Sequence, residues 1–472
     1  MTAQLQLYNT LTRRLEPFTT LEAGHARVYT CGPTIYDYSH IGNFRTFLFE
    51  DILRRALRLF GYRVTQVMNL TDVDDKTIRG ASQAGLSLRE YTDRYAAAFF
   101  EDLDTLRIER AEHYPRATDH IPAMVELIRR LEQAGRTYRS EGSVYYRITT
   151  FPGYGKLSGV RPDANLAGAR VDVDEYEKED ARDFVLWKAA KPGEPAWDTE
   201  LGHGRPGWHL ECSAMSMATL GESLDIHCGG VDNIFPHHEN EIAQSEGATG
   251  RPFARFWLHA EHLTVEGEKM AKSLGNFFTL RDLLERGHDP LAIRYLLISV
   301  PYRQKLNFTF DGLHAAGQAL ERVANTLRRL EHSPAAAGAG ALAPDEVEVF
   351  RLRFRAALAD DLNTARALAE LHDLLRAVNT ALDGGGISGP VRGDLARAMA
   401  EADSVLGLLP AGASAAADGD AEIVGLVEER AAARAARDFT RADAIRARLS
   451  ELGVVIEDTP HGTVWHRKPA RG

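Results

Sequence analysis

Residues 31–45 read CGPTIYDYSHIGNFR, and this stretch decides the fold that the rest of the sequence predicts. It follows a strand-like run at residues 26–29 and precedes residues 46–60, where apolar side chains recur at helical spacing. A strand, a polar turn with glycine and a helix begin a βαβ nucleotide-binding unit, whose helix start offers backbone N–H groups to phosphate. Taken alone, however, these glycines are also typical of an ordinary turn between packed elements.

Composition and charge restrict the class of protein. The chain has 472 residues, of which 44% are hydrophobic and 26% charged, enough for two to four globular domains. Its net charge of −11 argues against coating nucleic acid through bulk electrostatics, but leaves room for a local basic face. Without a long apolar run or a signal-peptide pattern, we expect a cytoplasmic protein with no membrane partner.

Two further stretches carry polar or charged groups that are candidates for ligand binding. Residues 62–68 predict a second strand, and it ends in the polar run NLTDVDDK at residues 69–76, at the sheet edge where ligands bind in doubly wound folds. The acidic residues there are either ligand contacts or the start of a helix capped by Thr71 or Asp72. Residues 269–276, KMAKSLGN, place two lysines three apart in a loop, which alone indicates only an exposed loop.

The three cysteines and the run HHENE at residues 237–241 are candidate metal ligands. An odd number of widely spaced cysteines is unlike a disulfide framework and fits a reducing compartment or a metal site. His237 and Glu241 are four apart and His238 and Glu241 three apart, so either pair could share a helix face, yet HHENE alone is more typical of an exposed polar helix start. Cys212 alone is more often a small buried apolar residue.

In combination, HIGN at residues 40–43 and KMAKS at residues 269–273 resemble the two motifs of class I aminoacyl-tRNA synthetases. Asn43 replaces the second histidine of the first motif, and this form resembles the cysteinyl-tRNA synthetases in particular. Ala271 replaces the first serine of the second motif, but both lysines remain. The resemblance extends over essentially the whole chain.

The resemblance implies roles for individual residues. The catalytic and ATP-binding residues that it implies are His40, Gly42, Asn43, Lys269, Lys272 and Ser273, with Mg²⁺ accompanying ATP. The cysteine-binding residues that it implies are Gly32, Thr71, Trp208, His227 and Asp232. The ligands of one Zn²⁺ ion that it implies are Cys31, Cys212, His237 and Glu241, which leaves Cys228 a structural role.

A bound metal would allow such an enzyme to distinguish cysteine from serine. Cysteine and serine differ by one atom, and the enzyme needs to prefer cysteine by about 10⁴-fold. A simple pocket contributes only ~1–3 kcal/mol of discrimination per small group, which is less than this preference requires. Zinc binds a substrate thiolate in preference to a neutral hydroxyl, so serine loses a bond that it cannot replace. An editing domain is then unnecessary, and the sequence shows no obvious one.

The expected architecture is α/β: a Rossmann-type parallel-sheet catalytic domain with an insertion, then a helical bundle and a small C-terminal domain. We assign residues 1–310 to the catalytic domain with a connective insertion at about 135–206, 311–408 to a tRNA-binding bundle, 409–419 to a linker and 420–472 to an anticodon-binding domain. Arginines 430, 434, 437 and 441 would align on one face of a single helix and either contact unpaired bases or form an ordinary solvated stripe.

The expected function is ATP-dependent activation of L-cysteine and its transfer to the 3′ end of tRNA(Cys), by a monomer. Two alternatives remain: a ligase that joins cysteine to an amino sugar by the same chemistry, and a non-catalytic relative that binds zinc and RNA. The C-terminal segment favours tRNA over the amino sugar. The intact His40, Lys269 and Lys272 favour a catalyst.

Overall fold

A computed structural model describes most of the chain. The described residues are 4–160, 182–338, 340–409, 421–435, 438–452, 454–459 and 462–467. The predicted linker, residues 409–419, lies outside them apart from Leu409. Among the described residues, no helix is both long and apolar enough to cross a membrane.

The first part of the chain contains a βαβ unit. Its elements are β1 (Gln6–Asn9), β2 (Arg14–Pro17), β3 (His25–Thr30), α1 (Ile41–Leu59), β4 (Arg63–Met68), α2 (Asp75–Ala84), α3 (Leu88–Thr105) and α4 (Ile121–Gln133). β3 and β4 are parallel neighbours, and α1 connects them. Phe44, Leu48 and Ile52 of α1 are buried because apolar residues recur at spacings of three and four.

Helix α1 begins at Ile41, whereas the sequence predicted a polar turn as far as Arg45. His40 is the N-cap: its Nδ1 accepts a hydrogen bond from the Asn43 N–H at 3.2 Å, and its own N–H donates to Asn43 Oδ1 at 3.1 Å. This reciprocal pair satisfies two backbone donors at the helix start. The HIGN motif is therefore the cap and first turn of a helix rather than a loop before one.

A separate antiparallel sheet interrupts the parallel one. Its strands are β5 (Thr137–Ser140), β6 (Ser143–Tyr146), β7 (Phe184–Ala189), β8 (Trp197–Thr199) and β9 (Gly202–Pro206), in the order β5-β6-β7-β9-β8. Tyr146, Leu186 and Trp187 are buried in a cluster shared with α4. This part of the chain therefore packs on helices as a small layer of its own.

The parallel sheet resumes after the insertion. The next elements are α5 (Trp208–Leu220), β10 (Leu224–Gly230), α6 (Glu239–Thr249), β11 (Ala254–Ala260), β12 (Leu263–Val265) and β13 (Glu268–Lys269). The strand order is β11-β10-β3-β4, with every pair parallel. From β3 the chain runs through α1 to β4, and from β10 it runs through α6 to β11 at the other end of the sheet. The two neighbouring strands β3 and β10 thus connect in opposite directions, and the crevice beyond their carboxyl ends is where such folds bind ligands.

A helical region packs against the sheet. Its elements are α7 (Leu280–Glu285), α8 (Pro290–Ile298), β14 (Leu306–Phe308), α9 (Phe310–His332), α10 (Pro344–Ala359), α11 (Thr364–Gly384) and α12 (Gly389–Leu406). Leu358 and Leu371 belong to the same buried cluster as Leu48 of α1 and Ile293 of α8. The predicted fold class, a Rossmann-type sheet followed by helices, is confirmed.

A buried ion pair joins α1 and α8 to the end of α12. The Arg294 guanidinium lies 2.6 Å from Asp51 Oδ2, and both side chains are fully buried. It also donates to the Leu406 carbonyl at 2.7 Å and the Leu106 carbonyl at 2.8 Å. One arginine therefore fixes the end of the helical region against α1, the helix that begins with the HIGN motif.

Replacing Arg294 by methionine is expected to lower the free energy of unfolding by about 3–5 kcal/mol, because a buried carboxylate loses its partner. Urea unfolding followed by tryptophan fluorescence measures this loss. The matched control is Arg58→Met, since the Arg58 side chain is 44% exposed in its ion pair with Glu109. An exposed pair contributes below about 1 kcal/mol, so equal losses in the two variants would contradict the account.

The C-terminal elements contradict one prediction. They are α13 (Ala421–Ala435), α14 (Phe439–Glu451), β15 (Val454–Thr459) and β16 (Gly462–Arg467), the two strands being antiparallel. The four arginines do not share a helix: Arg430 and Arg434 lie in α13, Arg441 lies in α14, and Arg437 lies outside the described residues. Asp438 caps α14, so the helix breaks where the spacing alone predicted continuity.

Candidate active site and metal centre

His40 lies at the start of α1 and is uncharged. Burial lowers its pKa to about 4, although the negative charge of Asp232 opposes this shift. Because Nδ1 accepts the Asn43 N–H, the proton of the neutral ring resides on Nε2. His40 therefore presents one N–H donor beside the N-terminus of a helix, an arrangement that binds phosphate.

The lysine loop packs against this helix start. The Phe277 ring lies 5.1 Å from the His40 ring, and Ile41 N donates to the Phe278 carbonyl at 3.0 Å. A side chain at Gly42 would place its Cβ 3.0 Å from the His40 ring and 3.3 Å from Met270. The two motifs, more than 220 residues apart in sequence, thus form one surface.

Within the loop, Lys272 is held by a carboxylate. Its Nζ lies 3.0 Å from Asp37 Oδ2, and this hydrogen bond raises the pKa of the lysine. Asn276 keeps the loop folded, since its Oδ1 accepts from Ala271 N at 2.8 Å and its Nδ2 donates to the Lys269 carbonyl at 3.2 Å. Lys269, Lys272 and Ser273 are all exposed. Both ammonium groups are therefore accessible to an anion beside His40.

The four predicted metal ligands converge. One donor atom from each of Cys31, Cys212, His237 and Glu241 lies within 4.8 Å of the others, and all four residues are buried. Cys31 follows β3, Cys212 lies in α5, His237 precedes α6 and Glu241 lies in its first turn. The expectation that HHENE alone marks an exposed helix start is wrong, because residues 237–241 are all buried.

The donors fit a cation. Glu241 Oε1 is buried 3.1 Å from His237 Nε2 and accepts no hydrogen bond from any described residue. Such buried oxygens are almost always paired. A hydrogen bond with Cys212 and burial raise the pKa of the Cys31 thiol well above its usual value. A cation at the centre would satisfy the oxygen and stabilise the thiolates.

Neighbouring aromatic rings orient these donors. His209 Nδ1 lies 2.9 Å from His237 Nδ1, which leaves His237 Nε2 directed to the cluster, and Trp208 stacks on His237 at 4.2 Å. His227 Nε2 lies 2.9 Å from the second oxygen of Glu241. Partners of this kind fix the orientation of metal ligands.

A second, overlapping set of donors consists of Cys31, His227, His238 and Glu241. In this set His238 is already engaged at both nitrogens, by Cys31 Sγ at 3.3 Å and by His259 Nε2 at 2.8 Å. The sequence analysis assigned no role to His209 and His259, and it named His238 only as an alternative partner of Glu241 on a helix face. A usable sequence signal existed for His259, because it directly follows the apolar, strand-like run FWL at residues 256–258.

Three family models match the chain, in the order of its domains. They describe the class I (C) tRNA synthetase catalytic domain at residues 17–318, a DALR domain at 353–410 and a cysteinyl-tRNA ligase anticodon binding domain at 416–465. The cysteine–tRNA ligase of Solibacter usitatus is 54% identical over 98% of this chain and 100% of that protein. The cysteine–tRNA ligase of Koribacter versatilis is 50% identical over the same shares.

The chain belongs to the cysteine–tRNA ligase family. It is accordingly an aminoacyl-tRNA synthetase, and this confirms the family predicted from the sequence. Among solved structures, the methionyl-tRNA synthetase of Mycobacterium tuberculosis in complex with methionyl-adenylate covers 81% of this chain and 90% of its own, with a TM-score of 0.58 and 16% identity. That likeness supports the class I fold alone.

The cysteine-binding residues that the resemblance implies include Gly32, shortly after β3, and Thr71, shortly after β4, both at the carboxyl edge of the sheet. Asn69, which the sequence analysis did not single out, joins two of them: its Oδ1 accepts from Gly32 N at 2.9 Å and its Nδ2 donates to Thr71 Oγ1 at 3.1 Å. A Cβ on Gly32 would lie 1.8 Å from the Asn69 carbonyl, so only glycine fits there. Trp208 is 39% exposed, whereas His227 is fully buried behind Glu241.

The acidic run after β4 belongs to the framework of the ligase. Asp74 caps α2 by accepting from Thr77 N at 2.7 Å, and Asp72 accepts from Thr118 N at 2.9 Å. The helix-start interpretation is therefore correct for Asp74, which is the cap of α2 in place of Thr71 or Asp72. Asp72 instead holds Thr118, in a later segment of the chain.

Proposed function

We propose that this chain activates L-cysteine with ATP at the carboxyl edge of the parallel sheet and transfers the cysteinyl group to the 3′ end of tRNA(Cys). The observation that supports the proposal is that two different groups of residues follow the carboxyl end of β3. One is the start of α1, capped by His40, against which the lysine loop packs. The other is the buried Cys₂HisGlu cluster, to which Cys31 belongs.

At the nucleotide end, the residues of the chain align and neutralise the triphosphate. The cysteine carboxylate attacks the α-phosphorus, and pyrophosphate leaves with its electron pair. His40 donates its Nε2 proton in a hydrogen bond to the phosphates, while Lys269 and Lys272 hold the leaving pyrophosphate, with Mg²⁺ accompanying ATP. Gly42, Asn43 and Ser273 shape and complete this end of the site. Alignment and charge neutralisation supply most of the rate in such reactions.

At the metal end, Cys31, Cys212, His237 and Glu241 hold one Zn²⁺ ion. When bound, zinc supplies a soft Lewis acid that prefers the substrate thiolate to the serine hydroxyl. Gly32, Thr71, Trp208 and Asp232 position the rest of the amino acid, and His227 supports it through Glu241. Discrimination between cysteine and serine then depends on the metal and its ligands, so a second site that hydrolyses wrongly formed product is not needed.

The remaining assignments concern domains and partners. We assign residues 1–310 to the catalytic domain, with 135–206 as its insertion, 311–408 to a tRNA-binding bundle and 420–472 to anticodon binding. The separate antiparallel layer and the helices after β14 support these boundaries. We further propose that the enzyme acts as a monomer in the cytoplasm, where its substrates ATP and tRNA meet.

The test of this proposal is isotope exchange between pyrophosphate and ATP. Cysteine is expected to drive the exchange in the absence of tRNA, because adenylate formation is reversible. Serine at equal concentration is expected to drive none. Failure of cysteine to support exchange by the metal-loaded chain would overturn the proposal and favour the non-catalytic alternative.

Asp37→Asn is expected to lower the KM for ATP about two- to fivefold, because an exposed ion pair is worth up to ~1 kcal/mol and Asp37 competes with phosphate for Lys272. Steady-state exchange at varied ATP measures this change. Asp37→Glu keeps the charge and is the matched control, expected near the wild-type value. A raised KM in Asp37→Asn would show instead that Asp37 helps Lys272 to bind ATP.

A further inference from the structure

Glu239 is a buried carboxylate to which the proposed reaction assigns no role. It begins α6 between His237 and Glu241 and is fully buried. Its oxygens accept three backbone N–H groups from one loop of the insertion: Gly155 at 2.8 Å, Leu157 at 3.1 Å and Ser158 at 2.8 Å. Hydrogen bonds to an ionised acceptor are stronger than neutral ones. One side chain thus ties residues 153–158 to the helix that carries Glu241.

The same loop packs into the apolar surroundings of the metal cluster. Leu157 is 1% exposed and belongs to the buried apolar cluster that contains Cys31 and Cys212. The Tyr154 hydroxyl donates to Asn240 Oδ1 at 2.5 Å, a second link to the first turn of α6. The loop is therefore tied to the helix that carries Glu241 and shares a buried cluster with both cysteine ligands.

Gly155 permits this loop to fold back on itself. Its φ is +92°, and a Cβ there would lie 1.9 Å from the Val160 carbonyl oxygen. A side chain at this position would force the backbone away from Glu239, since L residues adopt such a conformation only at a cost. The Gly155 N–H is itself one of the three donors.

We infer that Glu239 is a positioning residue for the metal: it holds the loop of residues 153–158 against the cluster and so retards loss of the ion. Both of its oxygens are engaged by the loop, so it is not a further ligand. The inference rests on the proposed metal site. It gives the insertion a part in amino-acid selectivity, because the loop that closes the site belongs to the insertion.

The experiment measures the rate at which the zinc-loaded full-length chain releases its ion to an excess of a chromogenic chelator. Glu239→Gln keeps the size of the side chain and removes its charge, and we expect release about 10–100-fold faster, the usual effect of losing a partner around a metal site. Gly155→Ala alters the loop without changing α6 and is expected to accelerate release similarly.

The matched control is Glu246→Gln. Glu246 lies in the same helix and pairs with Lys156 of the same loop at 2.5 Å, but at its partly exposed rim. We expect its release rate within about twofold of wild type, since exposed pairs contribute little. The urea midpoint of each variant without metal separates general unfolding from a local effect. We expect Glu239→Gln to lower the midpoint, because an amide nitrogen cannot accept the loop N–H groups, but to remain folded without urea, where release is measured.

The outcomes are distinct. Wild-type release by folded Glu239→Gln overturns the inference, and so does equal acceleration in Glu246→Gln. If Glu239→Gln does not fold, the release rate of Gly155→Ala takes its place. Faster release than wild type supports the inference, and release at the wild-type rate overturns it. A wild-type chain that takes up no zinc overturns the metal site itself, and the inference falls with it.

Discussion

Cys212→Ser is expected to lower bound zinc from about one ion per chain to a small fraction and to lower kcat/KM for cysteine by at least about 10²-fold, since losing only an outer partner of a metal ligand already costs ~10–100-fold. The substitution removes one of two thiolates from a buried set in which every donor lies within 4.8 Å of the others. Metal analysis after dialysis and cysteine-dependent exchange measure the two effects.

Selectivity should fall together with the metal. Without the thiolate bond, discrimination between cysteine and serine is expected to drop to roughly the 10–200-fold that one small group supplies in a pocket. Cys228→Ser is the matched control, because Cys228 is equally buried but belongs to neither donor set. Full metal content and unchanged selectivity in Cys212→Ser would remove Cys212 from the ligand set.

Lys272→Ala is expected to slow cysteinyl-adenylate formation about 10²–10³-fold, the usual cost of removing one group that stabilises charge in a transition state. Single-turnover measurement of adenylate formation gives the rate. The metal content should stay at about one ion, because Lys272 is exposed on the loop beside His40 and outside the buried donor set.

Two further lysine substitutions test the interpretation. Lys272→Arg keeps the positive charge and should recover part of the rate. Lys305→Ala removes another exposed lysine, in the segment before β14, and should leave the rate unchanged. An unchanged rate in Lys272→Ala would exclude this lysine from the reaction. A loss of metal in this variant would contradict its position outside the metal site.

Local patterns in the sequence predicted the elements that form the site. Residues 31–45 and 62–76 predicted the βαβ unit because strand and helix periodicities, turn residues and polar strand ends are all local signals. The parallel pairing of β3 with β4 and β10 followed from that class of fold. The resemblance to cysteinyl-tRNA synthetases, rather than any local pattern, implied Cys31, Cys212, His237 and Glu241 as one set, and their donor atoms do converge.

What the sequence missed depends on contacts between distant residues. Glu239 meets Gly155, Leu157 and Ser158 across more than 80 residues, and no periodicity encodes such a pairing. The burial of HHENE likewise results from distant contacts: its histidines and Glu241 lie against α5, β10 and β11, and Glu239 and Asn240 lie against the insertion. Regular spacing also concealed the break at Asp438, because one capping side chain outweighs a stripe of aligned arginines.

The measurement that tests the central claim most directly is the charging of a total tRNA pool by the zinc-loaded chain with ATP, Mg²⁺ and either labelled cysteine or labelled serine. The account predicts labelled tRNA with cysteine and none with serine. Consumption of ATP with cysteine but without charged tRNA would contradict it and favour a ligase that acts on a small molecule. Equal charging with serine would contradict selection by a metal-bound thiolate.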